Sequence, residues 1–520
     1  MSANPLPDTD VLVLGGGPAG CAAATLLARR AHRVTLVHPR RPPAASLAES
    51  IPPSARRVLE ELGALEAVEA AGFHANRGNA VRWAEGPLRR EEFPSDQEGF
   101  HTDRVSLEGV LTEVAERSGV RVLAGVAARS VDRAGDSWIA ACEGEGGAFQ
   151  LEAPWVVDAS GRKGVMARRH RETDRSTTTL ALVRRWRRPG GWDDDAGHHT
   201  LVESYPHGWA WSVPLSPSVR CLTAMVDQRH ADLQGPDVDA MLDEQLDRTG
   251  MLGRLREGSD PVGPAWACPA SLYTSREFAA PGVVLAGDAG SFIDPLSSFG
   301  VKKALSSGWL AGIVVHTSLV EPAMAQAARS FFHRRESEVY RRYRTISAEF
   351  FSAGAAAYGT EYWTSRARAA QDAAGAGNEA GYTDGHAGAP GSPGRTLPSD
   401  PDRLETGVPE SDVRQAFDAI RARPTLDARP GATVRRVGRP AVEGHRIVLL
   451  EHLATPTVPE GLRYVRGVDL AALLEVAPKH PEVPDGWAAY NGAAPPVTLP
   501  DYLTALATAF AAGLLEFADS

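Results

Sequence analysis

The sequence predicts an α/β protein in which a parallel sheet is joined to an antiparallel sheet of α+β character. Three observations predict it. Val11-Leu12-Val13-Leu14 is an unbroken apolar run of strand length, followed by Gly15, Gly17 and Gly20 and then by an Ala-rich stretch to Arg30. Similar short runs return at Val34–Val37, Trp155–Asp158 and Val283–Leu285, and such runs read as parallel strands covered on both faces. Between the last two, residues 177–226 alternate and are rich in Val, Thr, Trp and Tyr, the pattern of an antiparallel sheet.

The glycines come first because they carry chemistry. Gly15-x-Gly17-x-x-Gly20 stands between a strand and a helix that opens with Pro18 and Ala19, the context in which this spacing binds a dinucleotide in a Rossmann-like sheet. Gly15 makes the tight turn, Gly17 lets backbone approach a pyrophosphate, and Gly20 lets helix and strand pack closely. The anion then sits on the helix N-terminus, among N–H groups and the positive end of the macrodipole. At the end of the second strand an Asp or Glu usually holds the ribose; here the residue is His38, which still offers a ring nitrogen to a hydroxyl. Arg40 and Arg41 beyond it read as solvated or as phosphate ligands.

Helical spacing is expected over 54–62, over 105–115 after Asp103-Arg104, over 238–255, and over two long stretches, 300–319 and 323–351. Trp138–Cys142 and Phe149–Leu151 read as a hairpin around Gly144–Gly147. Residues 366–405 are rich in Ala, Gly, Pro and Ser and read as a flexible linker. Beyond them, 413–420 and 499–517 read as amphipathic helices of a small domain.

Composition narrows the function. With 520 residues, 43% hydrophobic and 23% charged, the chain reads as a globular enzyme of two or three domains. A net charge of −10 gives no general affinity for nucleic acid. The four cysteines are scattered with no CxxC pair, which fits a reducing compartment and no zinc site. The N-terminus runs straight into the first strand, with no signal peptide expected, and Trp309–Val320 is too short to span a bilayer. A cytoplasmic protein with no membrane partner is the expectation. His198-His199 near Asp193–Asp195 read as a solvated loop rather than a metal site.

Three segments now stand together: the glycine loop, Asp158-Ala159-Ser160-Gly161, and Gly287-Asp288-Ala289-Gly290 with Asp294-Pro295. Together they resemble the FAD-dependent monooxygenase and halogenase superfamily, with its p-hydroxybenzoate-hydroxylase-like fold, over about residues 10–351. The resemblance implies FAD rather than NAD as the cofactor. It implies that Asp288 binds the ribityl or pyrophosphate side, that Arg104 touches the flavin, and that Glu49 and Ser50 lie in the segment covering it. After Pro295, the resemblance aims a helix at the flavin ring, with Ser298, Phe299, Gly300 and Val301 presenting backbone N–H groups to the reduced ring. The domains expected are a discontinuous FAD-binding domain at 8–175 and 268–365, a substrate sheet at 176–267, the linker at 366–405 and a C-terminal domain at 406–520. Asn491-Gly492 and Pro500–Leu503 resemble the hairpin and helix of a winged-helix-like module.

Two features point in opposite directions within the superfamily. Trp209-x-Trp211-x-Val213-Pro214 is similar to the W-x-W-x-I-P signature of flavin-dependent halogenases; alternating Trp on a strand also serves as plain core. In phenol- and pyrrole-type halogenases a segment like Gly72–Gly78 carries a lysine that converts hypohalous acid into the halogenating agent. The matching residue is Asn76, and the neighbouring Arg77 guanidinium does not replace an amine. Asp294–Leu305 looks most like the flavoproteins that oxidise a peptidyl tryptophan in quinone-cofactor maturation.

The expected function is therefore aromatic hydroxylation by an FAD-dependent monooxygenase. It would use O2 through a flavin C4a-hydroperoxide, on a tryptophan-like small molecule or a peptide or protein substrate. Trp209 and Trp211 are expected to wall the substrate, and His74 and Asn76 to donate hydrogen bonds to it or to the oxidant. NAD(P)H directly, or a separate flavin reductase, would supply electrons. The alternatives are a halogenase of an aromatic substrate, a flavin-containing peptide-binding maturation partner without turnover, and, more weakly, a reductase of prenyl chains.

Overall fold

The structure is a computed structural model that describes residues 9–40, 46–173, 177–192, 194–229, 237–378 and 407–518. They fall into two compact units, one up to residue 378 and one from 407.

The first unit is built on a six-stranded sheet in the order Ala279–Ala280, Val283–Leu285, Trp155–Asp158, Val11–Leu14, Val34–His38, Arg121–Ala124. All its pairings are parallel except that of Ala279–Ala280. Val11–Leu14 lies between two covered neighbours and is 1% exposed or less, which explains its four consecutive apolar residues. The helix Pro18–Ala28 follows, and Gly300–Val320 packs on it through small residues. A Cβ at Gly308 would stand 2.1 Å from Ala19 O, so glycine is what lets these two helices touch.

The second layer is a seven-stranded sheet in the order Asp260–Pro269, Thr179–Arg187, Val219–Asp227, Gly208–Ser216, His199–Tyr205, Gly78–Arg82, Arg89–Glu92. Its last two strands come from residues assigned above to the FAD-binding segment 8–175. The boundary at 176 therefore differs from the sheet's. His199–Tyr205 pairs in parallel with Gly78–Arg82, a long-range pairing that no local pattern announces. A small sheet, Ala48–Ile51, Gly99–Asp103 and His74–Asn76, adjoins it.

Several expected boundaries move. The stretch 238–255 divides into the helix Val238–Asp247 and a short turn at Gly253–Arg256. The long helix runs Ala325–Tyr358, and Gly359, at φ +63°, turns the chain into a further helix, Glu361–Asn378. The linker expected from residue 366 is thus helical to Asn378, and Arg366 is buried. Its remainder, 379–405, lies outside the described residues. Ala-rich sequence looks like linker by composition, but alanine is also the best helix former.

The second unit has helices Glu410–Arg421, Leu470–Val476, Val483–Ala493 and Leu499–Ala511 around Leu470, Leu473, Tyr490, Tyr502 and Leu506. The helix expected to reach 517 stops at Ala511. Gly513, at φ +69°, turns the chain back, and Leu515–Phe517 pairs as a strand with Ala428–Pro430. Asn491 and Gly492 lie inside a helix, not at a hairpin tip. Among the described residues, the unit's hairpins are Arg435–Glu443 with Arg446–Ala454 and the short Tyr464–Val465 with Val468–Asp469. Among the described residues no helix is long and apolar enough to cross a membrane.

Candidate active site

The glycine loop makes a cradle. Gly15, at φ +110°, turns the chain off the first strand, and a Cβ there would lie 2.4 Å from Ala159 O. A Cβ at Gly20 would lie 1.8 Å from Gly15 O. At Gly17 it would meet only Glu108 Oε1, at 3.5 Å, so that side of the loop is open to a ligand. Gly17 caps the helix Pro18–Ala28 through backbone alone, with no side-chain cap, and the N–H groups of Ala19 and Gly20 face the same end. His38 closes the far side: a Cβ at Gly16 would fall 2.7 Å from His38 Cγ. Arg40 pairs with Glu145 at 3.1 Å on the surface.

The segment Ala48–Ile51 forms one edge. Glu49 Oε1 accepts from Arg104 Nε at 2.7 Å. Burial works against the charge of Arg104, but Glu49, Asp288 and Glu108 outweigh it and raise its pKa. Arg104 therefore stays cationic among carboxylates of both the covering strand and the Gly-Asp turn. Asp103 starts the helix Arg104–Arg117 by accepting from Val105 N and Ser106 N.

The turn Gly287–Ala289 is fixed by its backbone. Gly287, at φ +62°, donates to Ser307 Oγ at 2.8 Å, and Tyr273 Oη donates to Asp288 O at 2.6 Å. Lys303 Nζ stands 3.9 Å from Asp288 Oδ1 and bonds Gly287 O and Ser291 O. Asp294 Oδ1 accepts from Leu296 N at 3.0 Å and caps the turn Pro295–Ser297. Ser298 lies in the left-handed region at φ +54° and donates its N–H back to Pro295 O at 2.9 Å. It is therefore not among the N–H groups presented. The helix proper begins at Gly300, without a side-chain cap, and Val301 is its second residue. A Cβ at Gly300 would meet nothing within 4 Å. Two uncapped helix ends, an open glycine loop and a cationic Arg104 fit a diphosphate and a flavin ring that becomes anionic on reduction.

Trp209 and Trp211 share a face, their ring centroids 5.0 Å apart, as alternation on one strand requires. Trp83 stands 6.2 Å from Trp209 and 5.3 Å from Trp363. Phe350, Phe351, Tyr358 and Tyr362 complete the aromatic box, and Ala48 packs against it. The sequence reading missed Trp363 and Tyr362, which ride on the helix Glu361–Asn378. Arg366, one turn on, pairs with Asp227 at 3.0 Å while both are buried, and it stacks 3.8 Å from the Tyr362 ring. The W-x-W spacing was a usable signal for the first pair. No pattern announced the second.

Asn76 and His74 lie close together, but their donors are spent inside the protein. Asn76 Nδ2 donates to Ser50 Oγ at 3.1 Å and Ile51 O at 3.3 Å, and Oδ1 accepts from Gly78 N at 3.2 Å. His74 Nε2 lies 2.7 Å from Gly197 O, and its ring stacks on His198 at 4.5 Å. Burial lowers the pKa of His74. Both residues brace the small sheet, so the donor roles expected of them do not match this geometry. Among the described residues no group of three His, Cys, Asp or Glu is placed to hold a metal ion.

The dinucleotide cradle, the Gly-Asp turn and the aromatic box define a FAD-dependent oxidoreductase. The chain belongs to the tryptophan halogenase family, whose model matches residues 89–376. It is similar to a tryptophan 2-halogenase of Chondromyces crocatus, with 31% identity over 380 residues, 69% of this chain and 70% of that protein. In fold it is similar to the flavin-dependent halogenase CmlS, at TM-score 0.75 and 20% identity, covering 98% of this chain and 96% of that one. It is also similar to the peptidyl tryptophan dihydroxylase QhpG, at TM-score 0.61 and 22% identity, covering 92% and 95%.

Proposed function

We propose that the protein is a flavin-dependent halogenase of an electron-rich aromatic ring, supplied with reduced FAD by a separate flavin reductase. This reverses the order of the two readings drawn from sequence. Family membership supports it, and one observation carries it. The strand Ala48–Ile51 is a partition: Glu49 turns to Arg104, while Ala48 and Ser50, on its other face, meet the aromatic box and the Asn76 cluster. A partition suits a small halogenating species that crosses from cofactor to ring. Oxygen transferred directly from a flavin needs the substrate against it.

Bound and reduced FAD supplies the electrons that activate O2. The chain's own part is to hold the cofactor at Gly15–Gly20, His38, Arg104 and Asp288, and to exclude water from the box. Trp209 is buried beneath Trp211 and Trp83, and the partly exposed faces of those two are where a flat ring would stack. An indole is the first substrate to try, because the Chondromyces relative is named for tryptophan.

Oxygen insertion is the second reading, favoured by Asn76. An amide whose hydrogens are both engaged does not form a haloamine as a lysine amine does. A peptidyl tryptophan is then the substrate class, the one for which the dihydroxylase QhpG is named.

The deciding experiment is intact-mass analysis of indoles, phenols and tryptophan peptides after incubation with the protein, FAD, a flavin reductase, NADH and either chloride, bromide or no halide. A halogen isotope pattern is the expected result. A gain of oxygen mass regardless of halide selects the second reading. No oxygen consumption with any substrate leaves a binding partner without turnover.

A further inference from the structure

Four polar side chains form a line between the partition strand and the large sheet. Asn76 Nδ2 donates to Ser50 Oγ at 3.1 Å, Ser50 Oγ lies 2.7 Å from Thr200 Oγ1, and Thr200 Oγ1 lies 2.9 Å from His101 Nε2. Register assembles it. His101, on the middle strand of the small sheet, stands opposite Ser50 on one side and opposite His74 on the other. Thr200 reaches in from the large sheet. Asn76, Thr200 and His101 are buried, and Ser50 is partly exposed.

The direction of each hydrogen bond follows from the two ends. Asn76 Oδ1 accepts from Gly78 N, so the amide is fixed with its NH2 toward Ser50. At the other end His101 is fully buried. Burial, then the charge of Arg220 and the neighbouring histidines, holds its pKa well below the ordinary value, and it is neutral. A neutral imidazole has one proton. On Nδ1 that proton would be a buried donor without a partner; on Nε2 it goes to Thr200 and leaves Nδ1 only an unfilled acceptor. A buried orphan N–H is the rarer and costlier outcome. His101 therefore donates to Thr200. Thr200 is buried, and its own hydrogen finds its acceptor in Ser50 Oγ, so Thr200 donates to Ser50. Ser50 Oγ now accepts from both Thr200 and Asn76, which fills its lone pairs. Its own hydrogen has no acceptor in the line and turns outward, on the face of the partition that carries Ala48 against the aromatic box.

We propose that Ser50 is the hydrogen-bond donor that receives a negatively charged species on the substrate side of the partition, with Thr200 and His101 as the positioning residues that aim it. The ligand class is an anionic acceptor, a halide or the oxygen of an oxidant. Ser50 thereby fills part of the place that the Asn76 position leaves without a free donor. The proposal rests on the flavin-site reading above.

Two measurements test it. The first is the tautomer of His101, by 15N NMR of histidine-labelled protein without FAD, with the signal assigned by His101→Gln. A neutral Nε2–H ring between about pH 6 and pH 8 is expected. An Nδ1–H ring or an imidazolium would overturn the proposal. The second is product formed per reduced flavin, with chloride, bromide or no halide. Ser50→Ala lowers it about tenfold or more, Thr200→Val does the same, and the double variant falls no further than Ser50→Ala. His101→Gln, whose amide Nε2 donates from the same place, stays within about threefold, and His101→Leu falls with Thr200→Val. FAD affinity changes less than about twofold throughout. A loss confined to the halide arms assigns a halide or hypohalite acceptor, and a loss of oxygenated product without halide assigns the oxidant oxygen. Unchanged coupling in Ser50→Ala, or losses that track FAD affinity, would overturn the proposal. A wild-type protein that makes no product in any arm defeats the functional reading, while the tautomer still decides the direction of the line.

Discussion

Asn76 shows how a buried amide acts as a strut. Its three hydrogen bonds tie the His74–Asn76 strand to Ser50 and Ile51 of the partition and to Gly78 at the start of the large sheet. Asn76→Leu keeps the approximate volume but strands the Gly78 N–H and removes the donor to Ile51 O. It is expected to lower the unfolding free energy by about 1–3 kcal/mol in urea denaturation.

Asp294 behaves differently. Burial pushes its pKa up to about 6 from an ordinary 3.8, against the pull of Leu296 N–H and Arg366. The folded protein thus binds this proton more tightly than the unfolded chain does. Stability from this group is full below the ordinary value and falls as pH rises toward about 6, by about 3 kcal/mol in all. Asp294→Asn keeps the bond to Leu296 and removes the titration. Its advantage over the parent should grow through that window and level off above it, in urea denaturation at stepped pH. Asp227 has the opposite sign: burial raises its pKa, but Arg229 N–H and Arg366 outweigh that and lower it. Its contribution therefore persists until pH falls below the ordinary carboxylate range.

Among elements, the two helices after Gly300–Val320 set the size of the aromatic box. Gly354 and Trp363 meet where they cross, and a Cβ at Gly354 would lie 2.4 Å from Trp363 Cε3. Gly354→Val is expected to push the helix Glu361–Asn378 away, costing about 1–3 kcal/mol. It should also shift the tryptophan fluorescence, because Trp363 contacts Trp83. The glycine-loop helix makes a sharper case. Gly20→Val places side-chain atoms inside Gly15 O, and the variant should lose FAD in equilibrium dialysis. The helix stripe and glycine spacing were legible because they are local. The aromatic box was half legible: the W-x-W spacing shows one pair of rings on one strand face, but the rings packed around it, Trp83 and Trp363, come from distant segments on either side in sequence, neither of which carries a local pattern that announces the contact.

At the scale of the molecule, residues 407–518 have their own core, with Leu470, Leu473, Tyr490 and Leu506 at 0% exposure. A fragment spanning them should unfold cooperatively, seen as one transition by circular dichroism and by Tyr and Trp fluorescence. The fold class and the dinucleotide cradle were readable in the sequence because both are written in contiguous residues: an apolar strand, glycines that relieve specific clashes, and a helix that must start there. The partition, the Arg366–Asp227 pair and the line from Asn76 to His101 were settled only by tertiary structure. The bonded members of the last two lie 26 to 150 residues apart, and each is an ordinary polar residue in its own neighbourhood. Strand register brings them together, and register is fixed by burying whole sheet faces, a property of the assembled layers and of no single segment.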